Sequence, residues 1–436
     1  MAVYEDREAF IPYSRSDIID MCLEDGKLSD ADSQKFREFC QILAAYFHFK
    51  FHRTLERIKY NFAPFDPDSD TPLRIEPTYP QKQKMQAKLV EDFKHILERS
   101  NYIALSKESL EKAFEEKSLI ELKTDIDFDE FDEMVCFCRG DIYKMTTITK
   151  FFFRKQTITI DTFERVALLL KIKDAGYFKQ KNIDPQELEY TPGKIYIYLY
   201  KNIPKFDLEF LFPNVKTSMT LKDKLFFIVP AIGAAVPTAL RILPQILLIV
   251  GVISFVITGI DSLANFSDEE LRKLMPALVA TFSLTMTLGG FAFKQYTSYK
   301  SKQIKFQKNI TETLFFRNLG INAGVFKTLI DAAEEEETKE IILVYYHLLT
   351  SKKALNKEQL DDRIEEWMDK KFSTKIDFDI NGPLGNLAEI CGKLNENDAE
   401  EIPLLTFDRD ENCQILELDK AKTIIDYIWD NAFKYA

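Results

Sequence analysis

Two apolar blocks constrain this chain more than any other feature: residues 225–260 and, after a short acidic loop, residues 275–293. A hydrocarbon core ~30 Å thick is crossed by about 20 helical residues. The second block supplies that length without one charged residue, and the first, 36 residues long, is broken only by Arg241. Such runs predict an integral membrane protein anchored in mid-chain, with polar segments folding in water on either side.

Charge sets the expected topology. The linker carries Asp261, Asp268, Glu269 and Glu270 against Arg272 and Lys273. The outer flanks are basic: Lys216, Lys222 and Lys224 before, and Lys294, Lys300, Lys302, Lys305 and Lys308 after. Lys and Arg accumulate on cytoplasmic flanks, so both termini are expected on the cytoplasm-like side of a two-span hairpin. A straight 36-residue helix would extend roughly 54 Å, more than one crossing needs. Pro230, Pro237 and Pro244 predict breaks in it. The expected spans are therefore 243–260 and 275–293, with 225–240 as a broken apolar segment at the interface. Arg241 would then snorkel at the junction. The alternative, an intramembrane working charge, lacks an acidic partner within the blocks.

The 436 residues have room for two or three domains. A net charge of −12 argues against nucleic acid as a partner, because phosphate binding needs clustered cations. The first residues, MAVYEDREAFIPYS, resemble neither a signal nor a transit peptide. Six scattered cysteines without CxxC spacing read as reduced thiols.

Along the chain, Phe36, Phe39, Leu43, Phe47, Phe51, Leu55 and Ile58 recur at spacings of three and four, predicting one long helix over 29–60. Pro64, Pro67 and Pro72 stop it. Further helices are expected over 82–99 and from 106 to about 117. MVCFC (134–138), VALLLKIK (166–173) and KIYIYLY (194–200) read as strands, the last covered on both faces, and Arg139-Gly140-Asp141 as a turn after a strand. The expected domains are an α+β soluble domain (1–220), the transmembrane hairpin (221–295) and a helical, winged-helix-like C-terminal domain (296–436). Residues 338–436 hold 13 Lys plus Arg against 21 Asp plus Glu. That balance turns a winged-helix-like module away from DNA and toward proteins. Trp367 and Trp429 are both expected in its core.

Four segments, REAFIPYSRSDII (7–19), FAPFDPDSDT (62–71), YKNIPKFDLEFLFPNVKTSMTLKDKL (200–225) and NLGINAGVFKTLIDAAEEEETKEIILVYYHLL (318–349), together resemble a family of uncharacterised two-span membrane proteins of bacteria and plastids that includes mitochondrial transmembrane protein 143. The resemblance implies a bacterial inner or thylakoid membrane and supplies no catalytic pattern.

Candidate sites are sparse. Asp66, Asp68 and Asp70 alternate like the start of a calcium loop, yet Thr71 and Pro77 stand where an EF-hand needs Gly and Glu. They are weak cation candidates; a rigid Asx-and-Pro turn accounts for them better. Glu334 to Glu337, with Asp331 and Glu340, lie on a predicted helix without Glu-x-x-His pairs, and read as a solvated or domain-docking face with Glu335 paired to Lys339. Cys136 with Cys138, and His48 with His52, are incomplete metal sites. No catalytic residue or cofactor is expected. The leading expectation is a membrane-anchored protein-interaction or assembly factor, its partners being the bilayer and other proteins, including copies of itself. An oligomeric channel or transporter component and a metal-dependent membrane enzyme are the rivals.

Overall fold

Ser29 begins the longest helix because its hydroxyl accepts the Asp32 amide, and the heptad-like phenylalanines then give the helix one apolar face. The computed structural model describes residues 10–108, 110, 123–150, 154–218, 314–395 and 400–431, with single positions between 279 and 311. Its helices are α1 (Arg15–Glu24), α2 (Asp30–Phe62), α3 (Tyr79–Arg99), α4 (Ala175–Gln180), α5 (Ala323–Leu349), α6 (Lys357–Phe372), α7 (Asn381–Glu389) and α8 (Leu418–Asp430). Its strands are β1 (Ile103–Ala104), β2 (Lys123–Asp125), β3 (Phe131–Lys150), β4 (Arg154–Ile172), β5 (Ile195–Pro204), β6 (Lys216–Ser218), β7 (Asn318–Ile321), β8 (Cys391–Gly392), β9 (Ile402–Pro403), β10 (Leu405–Phe407) and β11 (Cys413–Ile415).

The chain divides into two compact units. One comprises residues 1–116, 128–208 and 317–436; the other comprises 117–127 and 209–316. In the larger unit an antiparallel sheet runs β1-β3-β4-β5-β7. Register puts Val135 opposite Leu169, Phe137 opposite Ala167, and Leu169 opposite Ile197, so one face is continuously apolar. It joins the same buried cluster as α2, α3 and α5. Burying each such side chain contributes roughly 1.5–3 kcal/mol. Ring contacts order the helices: Phe39 stacks on Tyr345 with centroids 4.1 Å apart, and Phe36 meets Tyr346 edge-on at 5.8 Å. On the other face Tyr196, Tyr198 and Tyr200 stack in a row. There Tyr196 and Tyr198 are only half-buried, so β5 is fully covered on one side alone. In the smaller unit β2 pairs with β6.

The two-span expectation is overturned. Among the described residues no helix is long and apolar enough to cross a membrane. The long helices fail for a physical reason: the uncharged run of α2 extends only from Phe39 to Phe49, between Glu38 and Lys50, and the apolar run of α5 begins only at Ile341. The expected segment 225–240, the span 243–260 and Arg241 lie outside the described residues, as does most of 275–293. The membrane location and its topology are withdrawn. A mixed helix-and-sheet fold built on a five-stranded antiparallel sheet takes their place.

Two local expectations also change. Arg139-Gly140-Asp141 is no turn: pairing continues from Arg139–Arg165 to Asp141–Phe163. Gly140 sits opposite Glu164 at φ +68°, where a Cβ would lie 2.8 Å from the Glu164 Cβ. Trp367 is buried at 7% exposure, but Trp429 is 50% exposed and meets Phe49 edge-on. The helices after residue 356 pack with α2 and α5 inside the larger unit, and β10 and β11 pair as an antiparallel hairpin.

Candidate functional site

The acidic run on α5 is an internal clasp. Glu336 accepts the Ile11 amide at 3.2 Å and the Lys339 ammonium at 2.7 Å; that ammonium also donates to the Ile11 and Tyr13 carbonyls. Lys339 therefore pairs with Glu336, and Glu335 instead accepts the Arg15 amide at 2.7 Å. Glu334 meets His48 at 2.9 Å. Glu337 binds Arg99, which lies over the Phe51 ring, and accepts from Asn386 at 3.2 Å. Glu340 accepts from Asn101 at 3.1 Å, and burial pushes its carboxyl up to about 8. Burial likewise raises Glu337 against the pull of Arg99. Desolvating a carboxylate is costly unless charge and hydrogen bonds compensate, and here each has found a partner far away in sequence.

Asp66, Asp68 and Asp70 lie on the loop after α2, which is fastened to β5 and the start of α5. Asp66 Oδ1 accepts the Asp68 amide at 3.0 Å. Asn322 donates to Asp68 at 2.5 Å while its Oδ1 accepts the Ile197 amide at 3.0 Å. Lys194 donates to the Pro64 and Asp66 carbonyls. His48 and His52 are exposed. Cys136 and Cys138 are buried thiols, and burial opposes ionisation of Cys136. Among the described residues no group of three or more His, Cys, Asp or Glu could hold a metal ion.

Two cavities hold groups that sequence reasoning did not single out. One, of about 1090 Å³, lies between α3 and the end of β4. Lys171 lines it, its ammonium 3.1 Å from the Ile172 carbonyl and 3.9 Å from both Asp132 and Asp174; burial lowers its pKa. The signal was Lys171, the first charge in the apolar run VALLLKIK. The second, of about 970 Å³, lies beyond the C-terminal end of α5 and is lined by His347, Arg363 and Trp367. His347, set in the apolar run IILVYYHLL, accepts from Arg363 Nε at 3.2 Å. Burial and the Arg363 charge push it down to about 3.

The smaller unit presents a different feature. The described positions between 279 and 311 are helical. Along them Val279, Phe282, Met286 and Phe293 are exposed, Phe282 by 68% and Phe293 by 72%. A Cβ added at Gly289 or Gly290 would meet nothing within 4 Å. Exposed Lys294, Lys300, Lys305 and Lys308 follow, then exposed Phe315 and Phe316.

Residues 163–324 match a family model described as a protein of unknown function, DUF3754. The match spans the end of the long hairpin, the tyrosine strand, the exposed helical stretch and Asn322. No solved structure matches the chain.

Proposed function

We propose that this chain is a non-catalytic interaction or assembly factor that holds a protein partner along the described helical positions between 279 and 316. The observation that carries the reading is the exposure of Phe282, Met286, Phe293 and Phe315, each at a helical position. Large apolar side chains gathered in water mark surfaces that associate. The open notch at Gly289 and Gly290 admits a side chain of a partner helix between Met286 and Phe293. The lysines that follow favour a partner whose apolar face is edged with carboxylates. Nucleic acid is the poorer fit for a chain of net charge −12. We further infer, from the segments at 200–225 and 318–349, kinship with the family that includes transmembrane protein 143.

Photo-crosslinking tests the reading. A photoreactive phenylalanine analogue placed at Phe282 or Phe293 of the full chain should give one discrete protein adduct. Met286→Asp should abolish it. Adducts spread over many masses, or a pattern unchanged by Met286→Asp, would overturn the proposal.

A further inference from the structure

The cavity beyond α5 is lined by Lys27, Lys352, Lys353, Arg363, Lys370 and Lys371 against Asp362 and Glu366. In a chain with 70 acidic and 58 basic residues, that is a local reversal of sign. Internal pairing removes part of it. Asp25 holds Lys27 at 2.7 Å and also binds Lys371, and Glu366 holds Lys370 at 2.5 Å. Lys352, Lys353 and Arg363 form no ion pair among the described residues. The two lysines follow the C-terminal end of α5, whose carbonyl dipoles account for cations there. Arg363 has no such explanation.

Its surroundings fix it in place. His347 is fully buried, and its Nδ1 accepts the Arg363 Nε–H, so the imidazole is the tautomer with hydrogen on Nε2. That Nε2 is buried with no partner among the described residues. Holding Nε leaves the two terminal amino groups of the guanidinium for another acceptor. A planar fork of donors suits a tetrahedral oxyanion better than a point charge does. Trp367 and Leu355 add apolar wall, and the volume exceeds what a lone phosphate fills, lying in the range of small-molecule sites.

We propose that this cavity binds a small organic phosphate ester, with Arg363 holding the phosphate, His347 positioning Arg363, and Lys352 and Lys353 adding charge. The site is independent of the protein-docking stretch, so either reading can fail alone.

Calorimetry on the full chain tests it with two probes, inorganic phosphate and phenyl phosphate, at ionic strength matched with chloride. Both should bind saturably, phenyl phosphate the tighter. Arg363→Gln should weaken each at least about tenfold, the loss of a charged hydrogen bond. His347→Leu should weaken binding with Arg363 intact, and His347→Gln, which keeps a neutral acceptor, should restore part of it. Circular dichroism checks that each variant is folded. Undiminished binding in Arg363→Gln, no saturable heat for either probe, or phenyl phosphate binding no tighter than phosphate would overturn the proposal.

Discussion

Lys339 and Glu336 sit one turn apart on α5 with their charged atoms 2.7 Å apart and only 3% and 6% of their side chains exposed. The pair holds the N-terminal segment, since Lys339 also donates to the Ile11 and Tyr13 carbonyls and Glu336 accepts the Ile11 amide. Removing one partner leaves a buried charge uncompensated, which costs about 3–5 kcal/mol. Lys339→Met should lose that much in urea unfolding. The double variant Lys339→Met with Glu336→Leu should recover part of it, because the charge is gone. Recovery should stay incomplete, since three backbone groups lose partners. A Lys339→Met protein as stable as the parent would show that the clasp does not hold the segment.

Asn322 ties the Asp68 loop to β5 from a backbone at φ +47° and ψ −126°, outside the left-handed helical region and strained for a residue with a Cβ. Asn322→Gly should relieve the backbone but lose both side-chain bonds, costing about 1–3 kcal/mol. Asn322→Asp should do worse, since it sets a second carboxylate beside Asp68. Adding Asp68→Asn should rescue it. Thermal melting of the four proteins decides the order, and equal losses for Gly and Asp would contradict it.

How far the fold was legible depended on whether the cause was local. The phenylalanine spacing of α2 and the strands around Val135, Leu169 and Ile197 could be read directly, because periodicity and burial are written in neighbouring residues. Gly140 misled, since a glycine at positive φ also occurs inside a paired strand, and only the pairing of Arg139 with Arg165 and Asp141 with Phe163 shows that the strand runs on. The acidic run on α5 was readable as charge but not as a clasp: Glu336 and Glu337 are buried by Ile11, Arg99 and Asn386, which lie 325, 238 and 49 residues away. The membrane reading rested on apolar length, flanking charge and a family resemblance, none of which is a packing contact. His347 and Arg363 carried little signal, because their meaning lies in a hydrogen bond between two helices.

The two tryptophans should behave differently. Trp367 packs against Tyr346, His347 and Phe372, so Trp367→Ala should cost about 3–5 kcal/mol. Trp429 is half exposed with one edge-on contact to Phe49, a contact worth about 0.5–1.5 kcal/mol. Guanidinium unfolding of both variants gives the comparison. A loss at Trp429 matching that at Trp367 would mean that α8 docks more deeply than described.

Glu340 makes stability depend on pH in a direction opposite to ordinary carboxylates. Its folded pKa of about 8 stands above the ordinary carboxylate value of 4.5, with burial the main cause and nearby Glu336, Glu337 and Asp379 adding to it. Below 4.5 the carboxyl is protonated in both folded and unfolded chains, and its contribution is fully present. As pH rises from there toward about 8, the unfolded chain releases the proton while the folded one keeps it, and stability falls. Above that, both forms are ionised and the slope ends. Glu340→Gln preserves the acceptor for the Asn101 amide without a titratable proton. It should therefore flatten the decline between pH 5 and pH 8, about 4.5 to 8 being the window of this one group. Some slope should remain, because burial raises Glu337 too. Urea midpoints of parent and variant at the two pH values measure the difference, and equal declines would show that Glu340 is ionised in the folded protein.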